Sequence, residues 1–218
     1  MKIQEQIDLK LQAVQDERKD RKRSGKFSPS SMGRCYRLQY WNRQAEKPSN
    51  PIDARTLRVF EVGKIFHEFI QDIILEENPL AQTEVLIQTD DVVGFADIVL
   101  PDEVIELKSM HSRGFHYLKD ATIREQKFQN ILQAMVYAVI LGKHFVRMVF
   151  ISKDDLCIAE YKIKVTDEWR KDVKDEMTML MKYWNKQELP PPEPRAYNGK
   201  DCNYRGYKDK CTQLEKGE

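Results

Sequence analysis

The sequence predicts an α/β fold, a central mixed β-sheet flanked by helices, in a chain of 218 residues. Two observations predict it. Between residues 83 and 109, β-branched and apolar runs alternate with turn residues, the patterning of short paired strands. On either side, residues 61–78 and 125–142 carry apolar side chains at helical spacing. Strands interleaved with helices of this length form layered architectures with the sheet in the middle.

The elements follow in order. Residues 1–23, "MKIQEQIDLKLQAVQDERKDRKR", read as a charged amphipathic helix without the apolar core of a signal peptide. With 33% charged residues and no long apolar run, the composition fits a soluble chain that does not enter a membrane. Cytoplasm, of a bacterium or a phage-infected host, is the default expectation. Net charge is only +1, yet residues 18–37 carry eight Arg or Lys against Asp20 alone. That block runs into "RCYRLQYW", which mixes Arg34 and Arg37 with Tyr36, Tyr40 and Trp41. Cations interleaved with rings suit single-stranded nucleic acid, which offers phosphates and base faces together; a solvated face or flexible arm is the bland alternative.

A short helix is expected near 35–42 and a polar linker through "EKPSNPIDAR". The helix over 61–78 has Val62, Phe66, Phe69, Ile70, Ile73 and Ile74 as its apolar stripe, with His67 at the edge. Next comes "QTEVLIQ", a strand carrying Glu84, and then a hairpin from Gly94 to Ser109 turning on Pro101-Asp102. If that loop is symmetric, paired residues sum to 203. Asp97 then faces Glu106, with Lys108 beside it, while Ala96, Ile98, Leu100, Ile105 and Leu107 form the buried opposite face.

Opposed carboxylates destabilise a strand pair, so something must offset them. Lys108 alone could do so as a structural ion pair. A hard divalent cation, Mg²⁺ or Mn²⁺, is the sharper account, with Asp97, Glu106 and the Leu107 carbonyl as oxygen donors.

Residues 110–126, with His111, Arg113, His116 and Lys119, are expected to form a loop or lid over the site, Lys119 being a candidate contact for nucleic acid. The helix over 125–142, ended by Gly142, carries Gln129, Gln133 and Tyr137 as a polar stripe, which could be a solvated face. Two further strands, "FVRMVFIS" and "CIAEYKIKV", and a long helix from Thr166 complete the fold. Cys157 is expected to be a small buried residue, and Met177, Met179 and Met181 to fill the core.

Gly94-Phe95-Ala96-Asp97 with Ile105-Glu106-Leu107-Lys108 resembles the catalytic core of the PD-(D/E)XK nuclease superfamily. Gly63-(x3)-His67 upstream and Gln133-(x3)-Tyr137 downstream resemble its RecB-type branch, which includes phage-type exonucleases, and the three motifs occur in that order. The resemblance implies a restriction-endonuclease-like core over 61–165, preceded by a helical and basic segment (1–60) and followed by a C-terminal helix and tail (166–218). It implies His67 as a metal ligand with Asp97 and Glu106, Lys108 as the catalytic lysine, and Gln133 and Tyr137 as contacts to substrate or to that lysine. Glu84 is either an outer-shell carboxylate, at a position where many members carry a Glu, or an exposed carboxylate of its strand. The implied activity is Mg²⁺- or Mn²⁺-dependent hydrolysis of DNA, by an exonuclease acting on ends in recombination, repair or phage replication. A catalytically silent nucleic-acid-binding subunit and a purely structural protein are the alternatives. Members of the superfamily include closed rings as well as monomers, so a homo-oligomer or a recombination partner protein stays open.

Some RecB-type nucleases also hold an iron-sulfur cluster through one early cysteine and three late ones. Cys35, Cys202 and Cys211 match three of those positions, but Arg205 stands at the fourth. Because such clusters take four thiolates, an iron-sulfur cluster is not expected. Packing and hydrogen bonds are expected to tie the N-terminal segment to the tail instead.

Overall fold

A computed structural model of the chain describes residues 2–20, 24–118, 122–193, 195 and 206–217. Five strands form one mixed sheet in the order β1-β2-β3-β4-β5, flanked by helices as predicted. They are β1 (Gln82–Gln88), β2 (Val93–Val99), β3 (Glu103–Met110), β4 (Phe145–Ser152) and β5 (Ile158–Lys164). Only β3 and β4 run parallel; every other neighbouring pair is antiparallel. A parallel pair needs a crossover, and helix α5 (Ile123–Ile140) supplies it.

The remaining helices are α1 (Ile3–Asp20), α2 (Tyr36–Arg43), α3 (Ala54–Glu77), a short α4 (Ser112–Phe115), α6 (Asp167–Lys186) and α7 (Lys208–Lys216). Thr166 caps α6, its side chain accepting from the Trp169 amide. Asp53 caps α3 in the same way, its Oδ1 accepting from the Thr56 amide at 2.7 Å. That cap starts α3 about two turns earlier than its apolar stripe suggested. The tail helix α7 was not foreseen, and α4 breaks the expected loop over the site.

Two apolar clusters lie on opposite sides of the sheet. On the α5 side, Ile131, Leu132, Ala134, Met135, Val136 and Tyr137 pack with Val104, Met148, Phe150 and residues of α6. Met177 and Met181 join this core at its margin, as filler. On the α3 side, Ile70 packs on Ile98, Ile105, Leu107, Val149 and Ile151, with Phe66 and Ile74 at the edge. Val62, Phe69 and Ile73, expected in the same stripe, are exposed; one helix resting on one sheet buries a single narrow face.

A third cluster joins the termini. Cys35, Leu38, Tyr40 and Trp41 pack with Tyr207, whose hydroxyl donates to Asn42 Oδ1 at 3.0 Å. Cys157 departs from expectation: it lies exposed ahead of β5, in a tight turn that aims its side chain outward. Among the described residues no helix is long and apolar enough to cross a membrane.

Candidate active site

The site is made where β2 and β3 part. Their ladder holds Ile98 opposite Ile105 and Val99 opposite Val104, the register predicted from the Pro101-Asp102 turn, and then it stops. Asp97 does not continue the ladder opposite Glu106. Its Oδ2 instead accepts the Leu107 amide at 2.7 Å, so a side chain stands in for a backbone carbonyl. The two strands are held apart by the length of a carboxylate. Ala96, expected on the Ile98 face, packs with Tyr137 in the α5-side core, since the change of course at Asp97 shifts the side-chain alternation.

A matching irregularity lies across β1. Glu84 has φ +49° inside the strand, a left-handed conformation that costs a non-glycine residue of order 1–3 kcal/mol. The pairing of β1 with β2 skips Glu84 and Asp97 while keeping register on either side. Gln71 of α3 braces both: its Nε2 donates to Glu84 Oε1 at 2.9 Å and to the Asp97 carbonyl at 3.0 Å. Gln71 is buried and was missed in the sequence, although its spacing, one turn beyond His67 on the same face of the helix, was the available signal.

Glu106 is fully buried at 0% exposure. Its Oε1 accepts from Gln133 Nε2 at 2.6 Å and from Lys108 Nζ, while Gln133 Oε1 lies 3.4 Å from the same ammonium. Its Oε2 has no hydrogen-bond partner among the described residues. Burial, and then the charge of Asp97, push the Glu106 carboxyl up to about 8 against the pull of Lys108. Burial keeps His67 below the usual imidazole range although Asp97 draws it the other way; its Nδ1 lies 3.8 Å from Asp97 Oδ1. The neutral ring is the form that binds metals.

Tyr137 closes the cluster. Burial, then the charges of Glu106 and Asp97, hold its phenol protonated well above the ordinary range, facing Gln133 and the Phe95 backbone. Gly94 makes room for it: a Cβ at that position would lie 2.6 Å from Tyr137 Oη and 3.0 Å from Pro29 Cδ. Gly63 does the same for α3 against β3, where a Cβ would lie 3.3 Å from Ser109 Oγ. Both glycines of the motifs thus serve close approach.

Among the described residues no three His, Cys, Asp or Glu side chains stand in metal-ligating geometry together. The residues nonetheless fit a hard divalent cation. Glu106 Oε2 is a buried acceptor with nothing to accept, Asp97 and Glu84 add carboxylates that raise its proton affinity, and His67 is kept neutral. A cation there would relieve the repulsion that Lys108 only partly offsets.

The structure brings together His67, Glu84, Asp97, Glu106, Leu107, Lys108, Gln133 and Tyr137. It places Arg34, Tyr36 and Arg37 away from this cluster, in contacts of their own. The Arg37 guanidinium is buried, donating to the Pro190 carbonyl at 2.7 Å and to Glu215 at 2.8 Å, with Cys211 Sγ at 3.4 Å. Tyr36 is covered by the Arg195 guanidinium, 4.0 Å from its ring, and its hydroxyl donates to Glu176 at 3.3 Å. Arg34 is half-buried beside them, its carbonyl accepting from Gln39 and Arg195. Rings and cations that looked available for bases and phosphates are taken up joining the termini. Lys119, Cys202 and Arg205 lie outside the described residues.

No protein-family model matches the chain, and no curated protein matches its sequence. Solved structures do. The crystal structure of SSO0001 superposes with a TM-score of 0.58 at 21% identity, over 94% of this chain and 93% of that one. An alkaline exonuclease, LHK-Exo from Laribacter hongkongensis, aligns with a TM-score of 0.49 at 13% identity, over 75% of this chain and 93% of that one. A phage-related exonuclease from Haemophilus somnus 129PT gives a TM-score of 0.43 at 15% identity, over 74% and 94%. The likeness to SSO0001 shows a shared fold along nearly the whole of both chains.

Proposed function

We propose that the chain is a metal-dependent deoxyribonuclease, an exonuclease that hydrolyses phosphodiester bonds at DNA ends in recombination, repair or phage replication. One observation carries the reading. The parted strands β2 and β3 deliver Asp97, a fully buried Glu106 with an unpartnered oxygen, and Lys108 to a single point, with His67 and Gln133 closing it from two helices. A structural ion pair would need Lys108 and one acid. It would not need a second acid, a strained Glu84 and a neutral imidazole around them.

His67, Asp97, Glu106 and the Leu107 carbonyl would hold one or two Mg²⁺ or Mn²⁺ ions, which supply a water of lowered pKa and stabilise charge on the leaving oxygen. Lys108 places its ammonium, held between Glu106 and Gln133, where negative charge builds on the phosphorus oxygens. Gln133 fixes Glu106 Oε1 and so leaves Oε2 as the free acceptor. Tyr137, protonated and packed against Gly94, fixes the distance between α5 and β2 and faces Gln133. Gln71 holds the Asp97 backbone, setting the reach of that carboxylate.

Cleavage of end-labelled linear DNA, beside a covalently closed circle, tests the reading. With Mg²⁺ or Mn²⁺ the wild type should degrade the linear form alone, EDTA should stop it, and Lys108→Ala should lower the rate by about 10²–10³-fold, as the loss of one charge-stabilising group does. Bound but uncut DNA under every metal would instead favour the catalytically silent subunit.

A further inference from the structure

Two cations near the acid cluster have no part in it so far. Lys127 sits inside α5 at a break in the helix, with φ −127° and ψ 23°. Its Nζ lies 5.7 Å from the centroid of the Phe150 ring, and Phe150 is the β4 residue paired with Lys108 of β3. Neighbouring strands stand about 4.8 Å apart, so Lys127 lies over the strand next to the catalytic lysine, on the α5 side. Lys153 follows β4 directly, and its amide bonds to the Met110 carbonyl at the end of β3. Its Nζ reaches the α3 side, 3.4 Å from the Val59 carbonyl, close enough for its charge to act on His67.

Both lysines are half-buried, and burial lowers the proton affinity of each. Neither meets a carboxylate among the described residues, whereas the guanidinium groups of Arg43 and Arg147 do. An ammonium drawn out of water with no counter-ion is costly unless an anion arrives. The pair flanks Lys108 at the C-terminal ends of β3 and β4, the end of parallel strands where ligands bind.

We propose that Lys127 and Lys153 bind the backbone phosphates of the nucleic-acid strand on either side of the phosphate that is cleaved, Lys127 on the α5 side and Lys153 on the α3 side. The inference rests on the nuclease reading and deepens it: the substrate strand crosses the sheet end from one helix to the other. Such contacts are blind to sequence and fix the register of the strand. They also make binding dependent on salt, because each neutralised phosphate releases counter-ions.

The test is the salt dependence of binding to a short labelled DNA strand in EDTA, read by fluorescence anisotropy for the wild type, Lys127→Met, Lys153→Met, the double variant and Lys127→Arg. Each methionine variant should weaken binding several-fold and reduce the slope of log K against log[salt] by about 0.7, the value for one phosphate on a single strand. The double variant should lose about twice that, and Lys127→Arg should restore most of the slope. With metal present, the single variants should raise KM far more than they lower kcat. A wild-type slope kept by variants that still melt normally would overturn the proposal and leave the nuclease reading in place. Absence of any salt-dependent binding by the wild type would overturn both.

Discussion

Glu106 concentrates the chemistry of the site in one side chain. Its carboxyl is pushed up to about 8, by burial first and Asp97 second. A carboxyl whose folded pKa lies above its unfolded value favours the fold in its protonated form. The stability it contributes is full below about 4.5 and is lost as pH rises through about 8. In a chelator, the melting temperature of the wild type should therefore fall across that window relative to Glu106→Gln, which cannot ionise. Parallel melting curves for the two proteins across the window would contradict the assignment.

The elements around the site show how a sheet can be opened without being lost. β2 and β3 keep two ladder pairs near the turn and then yield to Asp97, while β3 and β4 stay paired along all of β3. Helices fix what the strands leave loose: α3 through Gln71 and His67, α5 through Gln133 and Tyr137. The clamp between the termini has its own buried anchor. Glu176 of α6 accepts from the Gly33 amide at 2.9 Å, from Gln39 at 3.0 Å and from Arg195 at 2.8 Å. Glu176→Ala would take a buried carboxylate acceptor from the Gly33 amide, Gln39 and the Arg195 guanidinium, and breaking a buried pair in this way costs about 3–5 kcal/mol. Urea unfolding should show a loss of that size, with metal binding at Asp97 and Glu106 retained in the variant under native conditions. A loss under about 1 kcal/mol, the worth of an exposed pair, would show that the clamp does not hold the fold.

At the scale of the molecule, what was legible in the sequence was what short-range pattern encodes. The strand period, the two-residue turn and the helical spacing placed the sheet, the hairpin register and the helices bearing His67, Gln133 and Tyr137. Long-range partnership was not legible. "RCYRLQYW" has the composition of a nucleic-acid surface, yet its outcome was decided by Pro190, Arg195 and Glu215, more than 150 positions away. The strain at Glu84 and the brace from Gln71 were hidden for the same reason, since each depends on where α3 lands on the sheet. Lys127 and Lys153 look like ordinary surface lysines until the fold sets them on either side of Lys108.

The acids that the parted strands present are proposed to hold a divalent cation. Titration calorimetry of Mn²⁺ into the metal-free protein, beside Asp97→Asn and Glu106→Gln, reads this binding without any substrate. The wild type should bind saturably, more strongly as pH rises toward about 8, because the proton on Glu106 must leave first, and both variants should lose this binding. A wild type that binds no Mn²⁺, or variants that bind it as the wild type does, would rule out a cation site at these acids.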